Sequence, residues 1–212
     1  MARRAAGITG IVSVVVIFIA SALSTLPHAP DPGASGADYA RWLAENPIGA
    51  KFWAGAYLEV LALTALIFFY AAFWNVLREG AGEWQWLADA AFACGVVTSA
   101  VKLASGPIAA VVYDRAPHGL SGDVNAALIE SNDWSFVLTW AINGAFLLAA
   151  GGVILATRVL PRWLGWSGVV VGVVNLLAVL GGKSAPPVVL LFFLWIFASG
   201  VVLLRPRKAA AL

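Results

Sequence analysis

Glu59 and Lys102 are single charges set inside two stretches that are otherwise apolar. A charge in the middle of a membrane helix costs about 2.5–3.5 kcal/mol on insertion scales, so such residues face a partner, a water-filled cavity or a functional path. A carboxylate and an ammonium at one depth can neutralise each other or hold the polar end of a small molecule. The carboxylate can also carry a proton. Asn143 adds an amide in a third apolar stretch, with Trp140 three residues before it. The hydroxyls of Ser99 and Ser105 flank Lys102 at i−3 and i+3, on its own face of a helix.

Depth supports grouping these residues. Glu59 lies about two turns below Phe52, Lys102 about three turns before Tyr113, and Asn143 about two turns below Ser135. With alternating helix directions, all three fall in the outer half of a bilayer, and Asn175 falls near mid-depth. Gly55, Ala56 and Ala62 share the Glu59 face. Gly95, Thr98, Ser99, Ser105, Gly106 and Ala109 form the Lys102 stripe. Small residues let membrane helices approach closely, so these faces are expected to meet other helices. Pro107 removes a backbone donor from the carbonyl of Leu103 and bends the helix there. A bent, polar, loosely packed outer half invites a cavity.

The elements that carry these residues follow from composition. The chain has 212 residues, of which 61% are hydrophobic and 11% charged, and its mean hydropathy is +0.88. Soluble domains carry roughly 25% charged residues, so lipid must cover much of this surface. A net charge of +2 and the lack of a basic stripe argue against a nucleic-acid partner. Cys94 is the single cysteine, which excludes an intramolecular disulfide.

Six spans are expected: 8–26, 52–77, 86–113, 135–156, 164–180 and 188–204. They form one all-α transmembrane domain over 1–212. The basic start and Ala20-Ser21-Ala22 resemble a cleaved secretory signal, but the apolar run is long enough to span and is read as the first helix. The bias of Lys and Arg puts both termini in the cytoplasm of a plasma-membrane protein. Arg3, Arg4, Arg78, Arg158, Arg162, Arg205, Arg207 and Lys208 then lie inside, and Arg41, Lys51, Arg115 and Lys183 outside. Trp42, Trp53 and Trp134 at one boundary and Trp84, Trp86, Trp163 and Trp166 at the other fit the interfacial preference of indole.

Two outer links carry helical signals. Ser35-x-x-Asp38 reads as a capping box opening a short surface helix, with Tyr39, Trp42 and Leu43 on one face and Asn46-Pro47 ending it. Asp123–Glu130 reads as a second short helix with Val124, Ala127 and Leu128 inward. Asp89 is expected to pair with Arg78 or to serve a helix N-terminus. His28 with Asp31, and Asp114 with His118, match no metal-ligand spacing, and no metal is assigned. Catalytic motifs such as G-x-S-x-G or H-E-x-x-H are lacking. Neither a reaction nor a cofactor can be named.

The cytoplasmic link Leu160-Pro-Arg-Trp-Leu-Gly-Trp166, with Gly55-Ala-Tyr-Leu-Glu-Val60, Asn132-Asp-Trp-Ser-Phe136 and the Pro/Asp-rich first outer link, resembles a family of small actinobacterial-type integral membrane proteins of unknown function. The resemblance implies a six-helix membrane protein and supplies no activity, cofactor or site residue.

The adopted expectation is a polar intramembrane pocket open to the outer side. Glu59, Lys102, Asn143, Trp140, Ser99 and Ser105 would line it, and it would bind or transform an amphiphilic, lipid-like ligand. Three alternatives stay open. The charged pair could only fix helix packing in a structural or accessory subunit, Glu59 could serve a proton-coupled carrier, or Lys102 could snorkel outward without meeting Glu59.

Overall fold

The computed structural model describes residues 1–25, 30–31, 34–115, 118–184 and 188–206. These residues are mostly helical, and no strand occurs among them. The helices are α1 (Ala2–Ser24), α2 (Gly36–Glu45), α3 (Ala50–Arg78), α4 (Gln85–Arg115), α5 (Gly122–Thr157), α6 (Arg162–Ala178) and α7 (Val188–Leu204). A 3-10 turn over Gly82–Trp84 leads into α4, and 3-10 geometry over Val179–Ser184, broken by a kink at Gly182, follows α6. Five helical segments are long and apolar enough to cross a membrane, the last of them Arg162–Gly182. The chain is therefore a multi-pass membrane protein. α7 is apolar but shorter, at 17 residues.

The long helices close into a ring in which α1 packs on α3, α3 on α4, α4 on α5, α5 on α6, α6 on α7 and α7 on α1. Lipid tails are as apolar as leucine, so close packing and interhelical hydrogen bonds must hold such a ring together. Glycine makes the closest approaches. A Cβ on Gly144 would come within 2.8 Å of the Gly172 carbonyl oxygen, and one on Gly172 within 3.0 Å of the Gly144 oxygen. Gly151 and Gly165 repeat this relation two turns along the same α5–α6 seam. Trp195 ties α7 to α6 by donating from Nε1 to the Leu164 carbonyl at 3.0 Å.

The densest core lies toward the end of the bundle that holds the α3–α4 and α5–α6 links. Phe69, Tyr70, Phe73, Phe146, Phe192 and Trp195 are all buried there. Phe146 packs edge-on against Tyr70 at 5.1 Å and against Trp195 at 5.9 Å between centroids. At the same end Asp89 accepts from Trp74 Nε1 at 2.7 Å and faces Arg78 Nε at 4.0 Å, as the sequence suggested. The opposite end carries α2.

α2 forms as its capping signal dictates. The Ser35 hydroxyl accepts from the Asp38 backbone N–H, and the Asp38 carboxylate accepts from the Ser35 N–H at 3.2 Å. The Ser35 hydroxyl also donates to the Asp38 carboxylate at 2.7 Å, and this bond, followed by the one from the Ser35 N–H, holds the Asp38 carboxyl below its ordinary pKa. Tyr39 and Trp42 are buried where α2 packs on α5.

The second expected surface helix is not a separate element. Residues 123–130 are the first turns of α5, a single helix of 36 residues. At a rise of about 1.5 Å per residue it exceeds a bilayer core of about 30 Å, so its N-terminal turns project beyond it. Their buried side is also not the expected one. Val124 and Ala127 are exposed and Asn125 is buried, because α2 docks on that segment through Gly36 against Gly122 and Asp123. The helix that carries the fourth expected span thus begins at Gly122, well before residue 135. The first helix ends at Ser24, and the expected boundary at Leu26 lies outside the described residues.

Candidate functional site

α3 and α4 bring Glu59 and Lys102 together. Lys102 Nζ stands 3.6 Å from Glu59 Oε1, so the ammonium does not snorkel away from the carboxylate. It also sits 5.1 Å from the centre of the Phe136 ring of α5, whose π face attracts a cation. A charge-assisted N–H···O bond is shorter, about 2.7–2.9 Å, so this pair is in contact without being tightly bonded. Glu59 makes no other ion pair or hydrogen bond among the described residues, and its side chain is 36% exposed against 19% for Lys102.

The pair lies on the wall of a cavity of about 730 Å³ between α3 and α4. Two features of the local sequence open it. On α4, Gly106 has nothing within 4 Å of the place a Cβ would take, and Pro107 follows it inside the helix. Deeper in the bundle the same two helices are closed, because the buried Tyr70 ring lies against Gly95. Phe52 and Tyr113 span the upper edge of the cavity, with centroids 4.9 Å apart. Ser24 of α1 and Asn132 of α5 complete the lining. The rim is open sideways: Tyr57 and Val60 are 65% and 47% exposed.

The other expected site residues are placed elsewhere. Ser105 is buried and donates to the Lys102 carbonyl at 3.1 Å, a bond within its own helix. Ser99, Trp140 and Asn143 are buried and do not line this cavity. Leu87 approaches Gly152, and Lys102 approaches Phe136. That antiparallel register sets Ser99 level with Trp140. The Gly144–Gly172 contact likewise sets Asn175 level with Ala141. Thr98, Ser99, Trp140, Asn143 and Asn175 therefore form a polar layer below the ion pair. Each has a buried side-chain atom with no hydrogen-bond partner among the described residues.

A second cavity of about 520 Å³ lies beyond the first, beneath α2. Ala40, Leu43 and Ala44 of α2 roof it, and Asp114, His118 and Asn125 line it. Trp53 and Tyr113 belong to both cavities and form a shared wall. His118 Nδ1 is 2.8 Å from the Asp114 carbonyl oxygen. A carbonyl only accepts, so Nδ1 carries the proton, and in the neutral ring Nε2 is left as an acceptor. The Asp114–His118 contact is thus made by the backbone, and His28 lies outside the described residues.

Reasoning from sequence missed Asn125, Phe136, Tyr113 and Asn132. Asn125 carried a signal, an amide four residues after a Ser35-like cap at Ser121, but its burial depends on where α2 docks. The aromatic and amide contributions to the cavity depend on interhelical register, which no single helix encodes.

No curated protein and no solved structure matches the chain. The model of the family described as Domain of unknown function (DUF4386) matches residues 5–205, so the chain belongs to that family of proteins.

Proposed function

We propose that this is a six-span plasma-membrane protein that holds a small amphiphilic or lipid-like molecule in the α3–α4 cavity. α7 serves as the sixth span: its 17 residues reach about 25 Å, and the bilayer thins or flanking residues adjust to such a mismatch. The Lys and Arg bias orients both termini to the cytoplasm and α2 to the outer side. The observation that carries the reading is the position of the Glu59–Lys102 pair on the wall of an open cavity rather than in a close-packed helix contact. A polar group on the ligand would meet the pair, and an apolar chain would leave through the lipid-facing rim beside Tyr57 and Val60.

Gly106→Trp tests this directly. The position has free space, so the indole should fill the cavity without displacing its neighbours. Binding of a brominated or photoreactive alkyl probe to the purified protein should be lost while the melting temperature is kept. Undiminished binding by the folded variant would overturn the reading.

A second reading is favoured by the 3.6 Å contact itself. The pair would clamp α3 to α4, with the cavity incidental, and Gly106→Trp would then leave function in cells untouched.

A further inference from the structure

We infer that the molecule held in the α3–α4 cavity is a lipid with a zwitterionic headgroup, whose cationic end meets Glu59 and whose anionic end meets Lys102. This rests on the proposed binding function and adds the charge class of the ligand.

Both members of the ion pair line this one cavity, and both keep bonding capacity beyond each other. Lys102 meets Glu59 at Oε1, and an ionised carboxylate accepts at both of its oxygens. Lys102 Nζ carries three donors, and Glu59 is its one carboxylate neighbour among the described residues. Net charge then decides between ligand classes. A carboxylate beside an ammonium forms a neutral dipole. A singly charged ligand would attract one member, repel the other, and leave an uncompensated charge inside the membrane. A zwitterion laid antiparallel to the pair attracts both members, and the four charges sum to zero. The 3.6 Å contact need not open to receive it. Trp53, Tyr57 and Tyr113 line the same cavity, and aromatic faces attract the ammonium end of such a headgroup.

The way into the cavity favours a lipid over a dissolved zwitterion. The rings of Phe52 and Tyr113 meet across its upper edge at 4.9 Å between centroids. Glu59 lies two turns past Phe52, about 10 Å along the helix. The side is open instead: Trp53, Tyr57 and Val60 on α3 and Gly106 and Pro107 on α4 line the cavity and are exposed on the flank of two apolar helices. A headgroup can pass that flank while its chain stays in the bilayer.

Three probes with one chain length separate the charge classes: dodecylphosphocholine, dodecyltrimethylammonium and dodecyl phosphate, titrated into the full chain in maltoside micelles at neutral pH. Dodecylphosphocholine should bind about tenfold or more tighter than either singly charged probe. Lys102→Met should turn the preference to the ammonium and Glu59→Gln to the phosphate, in protein whose cooperative melt shows it folded. The double variant Glu59→Gln/Lys102→Met leaves no charge without its partner and should lose the preference for the zwitterion. Phosphocholine without a chain should compete about tenfold or more weakly than its dodecyl form. If a singly charged probe binds the unchanged chain as tightly as dodecylphosphocholine, or if the double variant keeps the zwitterion preference, the headgroup inference is wrong and the cavity reading survives. If free phosphocholine competes as well as its dodecyl form, the lipid source is wrong. If none of the three probes binds saturably, or if Gly106→Trp leaves their binding unchanged, both readings are overturned.

Discussion

The ring of Tyr70 lies on the bare backbone of Gly95, so close that a methyl group there would come within 2.5–2.8 Å of three ring carbons. This contact closes α3 on α4 in one half of the membrane, and the same two helices part around Glu59 and Lys102 in the other half. Tyr70 is 1% exposed and cannot swing aside. Gly95→Ala is therefore expected to destabilise the protein in detergent by about 1–3 kcal/mol, the usual cost of overpacking. A thermal melt measures it, and an unchanged melting temperature would show that the seam is looser than drawn.

The ion pair predicts non-additivity. Glu59→Gln or Lys102→Met alone leaves one intramembrane charge without its partner, and the double change removes both. A double-mutant cycle on thermal or denaturant stability should give a coupling of about 0.5–3 kcal/mol. Additive losses would mean that the 3.6 Å approach contributes nothing to stability.

The orientation of α2 is testable with cysteine labelling after Cys94→Ser. A cysteine at the exposed Ala37 or Ala50 should react with an impermeant thiol reagent on intact cells. One at the exposed Glu83, at the opposite end of the bundle, should react only after permeabilisation. The reverse pattern would invert the proposed topology.

Acid should loosen α2 before the bundle. The Asp38 carboxyl is held below 3.8 by its bonds to Ser35, with a smaller contribution from Arg41. A lowered folded pKa means that the stabilisation is complete above the unfolded carboxyl's range and is lost as pH falls through the folded value. Hydrogen exchange in residues 36–45 should therefore quicken only below about pH 4. In Asp38→Asn that acid limb should vanish, with faster exchange already at neutral pH. An acid limb of equal size in the variant would assign it to another carboxylate.

What the sequence determined by itself is local or periodic. Long apolar runs, each bounded by Arg, Trp, Pro or Gly, required helices across lipid, since only a helix satisfies every backbone group within one apolar segment. Ser35 and Asp38 specified the start of α2, and Arg78 and Asp89 were marked as partners. The cost of isolated intramembrane charge marked Glu59 and Lys102 as partners for each other. Tertiary structure decided what depends on rotation and register between helices. Thr98, Ser99, Trp140 and Asn143 lie about a turn below the charged pair and are buried away from its cavity, a placement that depends on how α4 and α5 are rotated against each other. Residues 123–130 have the composition of a short surface helix. They form the first turns of α5, and α2 docks there and buries Asn125 instead of Val124. Helical periodicity states which residues share a face, but not which neighbour that face will meet.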